Sequence, residues 1–439
     1  MKKKDYYYIL IYLCTKRKKK RRKQVIGSGS HRCLRCHLSL SSLSPQKMPT
    51  FTYIELFAGI GGFRVGLEAL GGELVWGCDI DLAARITYRA NFGQDQTLYN
   101  DITQAKSEFI PSHDILTGGF PCQDFSNLGA GFDSGQQGLD GKTGSLFYEV
   151  VRILRECQPK SFLLENVQGL LTMKEGQVFQ HVIRTLKSVG YHVHYTSMNS
   201  NCLLPQFRRR VYIVGFLDAA ASERFSFPVS PQLSPCRTVG DILACDDPFV
   251  ETYRLSARQW RVVRDSKAAK KYGIATRILR PSSTEADTLL KSYRASKKSM
   301  AQFVYSEKQV DGRPRWLTTR EVARLMGFPN HFIFPPGSSA YNQLGNAVTP
   351  PIIALIGGHI VAALFEDEQS QAIGLEVSCA IALEATAPAL KQSFLRTTVS
   401  HPDFNGTVDS LIYGRQRRNI LIVTAAGILC WGALALFKK

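Results

Sequence analysis

Cys122 follows Phe120 and Pro121 and opens a stretch, through Phe147, that carries six glycines after the thiol. A cysteine is intrinsically the most nucleophilic of the common side chains once ionised, and covalent catalysis is the chemistry it offers. No histidine stands beside it in the sequence. Its activation must therefore come from another part of the chain or from the group it attacks, at the lip of a glycine-rich, mobile segment.

A second chemical signal lies upstream. The run "YIELFAGIGGFRVGLEALG" carries a strand into Gly59, Gly61 and Gly62 and then opens a helix. Glycines in such a turn let the backbone bend sharply and approach a ligand with no Cβ in the way. Asp79 ends the next strand, twenty residues after Gly59, where its carboxylate can accept hydrogen bonds from both hydroxyls of a ribose. Asp101 ends a third strand and is placed to receive an exocyclic amine. The glycine order departs from the G-x-G-x-x-G of dinucleotide dehydrogenases, which leaves either a nucleoside-bearing cofactor of another kind or a glycine turn such as any α/β protein can carry.

Seven short apolar or alternating runs must position these groups: "FTYIELF", "ELVWGCD", "TLYND", "DILTGGF", "SFLLENV", "YHVHYTSMN" and "RVYIVGF". Helical patterns over Phe63–Leu70, Ala83–Asn91 and Phe147–Glu156 lie between several of them. This alternation predicts an α/β fold, a mostly parallel sheet with helices on both faces. The last two runs, joined by "SNCLLPQFRRR", can instead pair antiparallel at one edge. From Leu217 regular periodicity fades, with Tyr253, Trp260, Tyr272, Tyr293 and Tyr305 set among basic residues. Such a stretch predicts a smaller inserted domain. An amphipathic helix, "TTREVARLMGF", restores order at Thr318, and a further helix follows the Pro-Pro of "NQLGNAVTPPIIALIGGHIVAALF".

The chain of 439 residues has a formal charge of +19, concentrated in two places. Lys2 to Lys23 hold eight Lys and three Arg against one Asp, and Val250 to Val310 hold fourteen basic against five acidic residues. The second excess is the electrostatic footprint of a phosphate-binding surface. Eleven scattered cysteines without a secretory leader predict reduced thiols inside a cell. The apolar run near the N-terminus is too short and too basic to be a signal peptide, "KRKKKRRK" can act as a nuclear-localisation patch, and Met48 is a natural start for the folded part. His31, Cys33, Cys36 and His37 lack a second ligand pair at zinc-finger spacing, so no metal is expected. Ile420 to Phe437 are eighteen uncharged residues flanked by cations, either a tail anchor or a buried helix.

The motifs "FAGIGGF", "GFPCQDFS", "LLENVQGLL", "QFRRRVYIVGF", "RWLTTREVARLMGFP" and "QLGNAVTP" occur in this order. Together they resemble the cytosine-5 DNA methyltransferase family from Phe51 to about Phe365. The resemblance implies a Rossmann-like class I methyltransferase with a mixed seven-stranded sheet, S-adenosylmethionine at the carboxyl ends of the strands, and an inserted target-recognition domain. It divides the chain into a basic leader (1–47), a catalytic and cofactor-binding part (48–216), a recognition domain (217–312), a return segment (313–365), an irregular extension (366–419) and the hydrophobic segment 420–437.

By the same resemblance Cys122 adds covalently to carbon 6 of a flipped-out cytosine, which makes carbon 5 enamine-like. Glu165 meets ring N3 as a carboxylic acid, and Arg210 holds the base carbonyl and orients Glu165. Phe57 stacks on adenine beside the Gly59 and Gly61 turn, Asp79 takes the ribose, Asp101 the adenine amine, and Leu146 and Asn346 line the methionine half. Ile80 stands where many relatives carry a bulky aromatic. Gln123, Ser126, Gln206 and Arg208 fall on the DNA side, Arg208 toward phosphate. Thr288 falls in the family's Thr-Leu motif, beside Lys291, Arg294, Lys297 and Lys298. The implied partner is double-stranded DNA and the implied state a monomer, in the nucleus of a eukaryote or the cytoplasm of a bacterium. Two other readings stand beside this one. A tRNA cytosine-5 methyltransferase would usually carry Pro-Pro-Cys in place of Phe120-Pro121-Cys122, and a Cys-Phe-Thr motif that is absent. A catalytically silent adaptor would need to lose only one of Cys122, Glu165 or Arg210, and all are retained.

Overall fold

The computed structural model describes residues 51–93, 98–121, 146–229, 237–244, 249–294, 301–305 and 312–365. Its centre is one sheet of seven strands: β1 (Thr52–Leu56), β2 (Glu73–Cys78), β3 (Leu98–Tyr99), β4 (Ile115–Gly118), β5 (Ser161–Val167), β6 (His192–Asn199) and β7 (Arg209–Phe216). They lie in the order β3-β2-β1-β4-β5-β7-β6. Strands β1 to β5 pair in parallel, whereas β7 runs antiparallel to both β5 and β6. All seven runs named from the sequence are strands, and the antiparallel edge pair is the mixed feature expected of the family.

The strand residues sort by the period of two that a pleated strand imposes. Tyr53, Leu163, Tyr212 and Val214 face one core, and Ile54, Leu56, Leu164, Val211 and Ile213 face the other. On the first face pack α1 (Gly62–Glu68) and the long apolar α10 (Pro350–Leu364), through Phe63, Leu67, Ile353 and Ile356. On the second pack α3 (Leu146–Cys157) and α4 (Gln177–Ser188), through Phe147, Val151, Val178 and Val182. Strands covered on both sides read as near-continuous apolar runs, which is why they stood out in the sequence.

Helix α2 (Leu82–Phe92) follows β2, and the short α5 (Ala219–Arg224) follows β7. Beyond them lie α6 (Ala257–Arg264), α7 (Lys267–Tyr272) and a two-stranded parallel pair, β8 (Ile278–Leu279) with β9 (Phe303–Val304). A third core joins Val239, Leu255, Leu289, Tyr293 and Phe303 to Trp316, Val322 and Met326. Helix α8 (Thr319–Leu325), assigned from sequence to the return segment, thus contributes to this smaller core, and the 312/313 boundary runs through it. The buried Arg315 fork meets both oxygens of Glu321 at 2.8 Å, and Glu321 also accepts the backbone N–H of Thr318 to cap α8. Helix α9 (Ala340–Asn346) completes the elements.

Candidate active site

The carboxyl ends of β1, β2, β4 and β5 converge on one edge of the sheet, and the site is assembled there. Phe57, directly after β1, has φ of 54°, a left-handed backbone that a bulky aromatic rarely adopts, and Gly59 and Gly61 follow at 56° and 85°. The strain is held by hydrogen bonds. Asp79 Oδ2 accepts the Gly59 N–H at 2.6 Å and its Oδ1 accepts the Asp81 N–H at 2.7 Å, while the Ala58 N–H donates to Cys78 O at 2.9 Å. Burial pushes the Asp79 carboxyl above its ordinary range, and those two N–H donors pull it back. Asp101 caps the short 3-10 turn after β3 by accepting the Thr103 N–H at 2.9 Å. Phe57 is half-buried and Ile80 is 72% exposed, so an open face remains beside the turn.

A fully buried carboxyl supports this turn from behind. Glu55 of β1 accepts the Phe63 N–H at 3.2 Å, at the start of α1, and the Tyr88 hydroxyl of α2 at 3.4 Å. Burial pushes its pKa up to about 8, against the opposing pull of Arg64. No role was assigned to Glu55 from the sequence, because a single acid within an apolar strand gives no signal of what it holds.

The other half of the site lies between β5 and β7. Register pairs Glu165 with Tyr212 and Val167 with Arg210, so Glu165 and Arg210 are diagonal neighbours on one face. Arg210 Nε stands 3.1 Å from Glu165 Oε1. Burial raises the Glu165 pKa, and Arg210 and then Arg208 oppose the rise. A Cβ built on Gly119, just after β4, would lie 3.6 Å from Glu165 Oε2. The carbonyl of the next residue, Phe120, accepts from Asn166 Nδ2 at 2.9 Å, while Asn166 Oδ1 accepts the Val167 N–H at 2.8 Å. Asn166 therefore ties the chain leading to Cys122 to the strand that carries Glu165. The sequence carries no local sign of this contact, since its partner is 46 residues away.

Two of the DNA-side expectations need correction. Arg208 is 3% exposed and donates to Leu289 O at 3.3 Å, Gly345 O at 3.2 Å and Ala347 O at 2.7 Å. Gln206 is fully buried beneath the 286 segment, with which it forms a β-bridge. Neither side chain is presented to a phosphate. Thr288 is half-buried and donates its hydroxyl to Phe207 O at 2.6 Å. Leu146 opens α3, and Asn346 ends α9 exposed, with Nδ2 3.2 Å from Asn342 Oδ1. Cys122, Gln123 and Ser126 lie outside the described residues, as do 1–47 and 366–439.

The family model for C-5 cytosine-specific DNA methylase matches residues 51–362. The type II methyltransferase M1.ScrFI of Lactococcus lactis subsp. cremoris is 37% identical over 325 residues, which cover 73% of this chain and 80% of that one. M.HpaII of Haemophilus parainfluenzae is 35% identical over 341 residues, 73% of this chain and 92% of its own. The fold is similar to that of the S. pombe Dnmt2 methyltransferase, with a TM-score of 0.55 and 21% identity over 72% of this chain and 98% of that chain. A putative DNA modification methyltransferase from an E. coli prophage gives a TM-score of 0.52 and 20% identity over 72% of this chain and 99% of its own. The family match and these relatives agree with the geometry: the chain belongs to the C-5 cytosine-specific DNA methylases and is a DNA cytosine-5 methyltransferase.

Proposed function

We propose that the chain methylates a flipped-out cytosine in double-stranded DNA through a covalent adduct with Cys122. The observation that carries the reading is the Glu165–Arg210 pair, 3.1 Å apart, beside the backbone that leads to Cys122. S-adenosylmethionine would be held at the turn by a half-buried Phe57, the left-handed Gly59 and Gly61 and the acids Asp79 and Asp101, beside the exposed Ile80. When bound, it supplies an electrophilic methyl group for carbon 5. Leu146 and Asn346 hold its methionine half in this reading.

The Cys122 sulfur bonds to carbon 6 while the Glu165 carboxyl gives its proton to N3, so the electron pair displaced from the 5,6 double bond is available at carbon 5. A raised Glu165 pKa favours the protonated acid that this step requires. Arg210 holds the base carbonyl and fixes Glu165 in place. Once carbon 5 is methylated, its proton leaves to solvent, the double bond re-forms, the thiolate departs and N3 returns its proton to Glu165. Gln123 and Ser126 face the DNA from the segment after Cys122, and residues 217–312 recognise the target sequence with Thr288 near the strand. The protein acts as a monomer inside the cell, and 420–437 contacts a membrane; release of the full-length protein by carbonate extraction would argue against that last contact.

The deciding experiment is transfer of labelled methyl from S-adenosylmethionine to unmethylated DNA and, in parallel, to tRNA, with Cys122→Ala as control. Label on DNA that vanishes in the variant supports the proposal. Label on tRNA alone replaces the substrate, and label on neither, despite cofactor binding, favours a silent DNA-binding adaptor.

A further inference from the structure

Arg208 sits where three separate parts of the chain meet. Its Nη1 reaches Leu289 O at 3.3 Å, and its Nη2 reaches Gly345 O at 3.2 Å and Ala347 O at 2.7 Å. The last two carbonyls flank Asn346, at the cofactor end. Leu289 follows Thr288, whose hydroxyl donates at 2.6 Å to the carbonyl of Phe207, the residue before Arg208.

The two outer parts also touch directly. A Cβ on Gly345 would lie 2.4 Å from Lys291 N and 2.6 Å from Lys291 Cα, so the backbones of the recognition segment and the cofactor turn are in contact with no room for a side chain. We propose that Arg208, with the Gly345–Lys291 backbone contact, is a positioning element that couples the 286–293 recognition segment to the 345–347 cofactor turn, so that ordering one orders the other. The inference rests on the assignments of Asn346 to the cofactor and Thr288 to the DNA side.

The chemistry favours an all-or-none joint. Among the described residues no carboxylate forms an ion pair with Arg208, and burial drags its pKa down to about 9 with only weaker help from Glu165. Movement of the 289 segment leaves Nη1 buried without that acceptor, and movement of the 345–347 turn strips Nη2 of both of its acceptors, so each displacement carries the cost of a buried donor without its partner. Lysine, a point cation with a shorter reach, cannot span acceptors on opposite sides.

The test is hydrogen–deuterium exchange of the full chain, with and without saturating S-adenosylhomocysteine, the demethylated form of the cofactor. Slowed exchange at Gly59–Phe63 reports that the cofactor turn is occupied. The proposal expects exchange in 286–293, which includes the Ala286 N–H bonded to Pro205 O and the Tyr293 N–H bonded to Leu290 O, to slow by about fivefold or more in the same sample. In Arg208→Lys the slowing at 286–293 should fall below about twofold, while that at Gly59–Phe63 persists. Protection at Gly59–Phe63 without any at 286–293 in the natural chain overturns the coupling, and so does full protection of 286–293 in the variant. The natural chain decides the matter by itself if the variant does not fold. No protection at Gly59–Phe63 at any concentration would overturn the cofactor reading and, with it, this inference.

Discussion

Arg210 Nε lies 3.1 Å from Glu165 Oε1 across the β5–β7 pair, so the Glu165 carboxyl is held between two opposing influences. Burial raises the Glu165 pKa, whereas the guanidinium beside it favours the carboxylate and lowers it. The protonated form is the one that can serve N3, so kcat should fall on the alkaline side as pH rises through the raised Glu165 pKa. Arg210→Gln removes the lowering influence, which moves that limb to higher pH while kcat drops about 10–100-fold from lost orientation. Single-turnover rates across pH measure both. A limb that moves to lower pH in Arg210→Gln would show that Arg210 does not act on the acid.

Asp79 does two jobs at once, and one substitution separates them from general stability. Its oxygens accept the Gly59 and Asp81 N–H groups at 2.6 and 2.7 Å, which fixes the turn around which a ribose would bind. Asp79→Asn leaves one oxygen acceptor and turns an NH2 toward the other N–H. Loss of one charge-assisted bond, about 1.5–3 kcal/mol, corresponds to a rise of about 10–100-fold in KM for S-adenosylmethionine. Initial rates against cofactor concentration check this, and an unchanged KM removes Asp79 from the cofactor site.

Legibility in the sequence followed the range of the interactions involved. Strands β1, β4, β5 and β7 were visible because burial leaves a local, near-continuous apolar mark, whereas the edge strand β6 showed only as an alternating run. The task of Arg208 was not visible, since the first arginine of "QFRRR" reads as a surface cation until its acceptors, 81 to 139 residues away, are known. The same applies to α8, whose amphipathic pattern predicted a helix but not which core it would enter. Local periodicity fixes an element's type, whereas its neighbour depends on contacts made by the whole chain.

Asn166 offers a sharper test of how the chain into Cys122 is held. Its amide nitrogen donates to Phe120 O at 2.9 Å and its oxygen accepts the Val167 N–H at 2.8 Å. Asn166→Asp keeps the acceptor for Val167 and replaces the donor to Phe120 with a carboxylate oxygen that repels its carbonyl. The expected result is a fall of about tenfold or more in kcat, roughly 1.4 kcal/mol of barrier, with KM for the cofactor little changed. Asn166→Asp turning over at the natural rate would mean that the Phe120 contact does not position the nucleophile.

Glu55 makes a prediction about stability rather than rate. Burial raises its pKa from 4.5 to about 8 in the folded chain, so folding favours the protonated acid. By linkage its contribution is fully present below the unfolded value and is lost as pH rises through the folded one, between about 4.5 and 8. Deprotonation then leaves a carboxylate buried in the core, which the Phe63 and Arg64 N–H groups, the Tyr88 hydroxyl and the Arg64 charge offset only in part. Glu55→Gln retains an acceptor for Phe63 and cannot ionise. The variant should therefore gain stability relative to the natural chain as pH rises from 6 to 8.5, by an amount on the order of a few kcal/mol, the equivalent of a multi-unit shift. Denaturant melts at the two pH values measure the difference. Parallel curves for the two proteins would mean that Glu55 does not carry its proton into the fold.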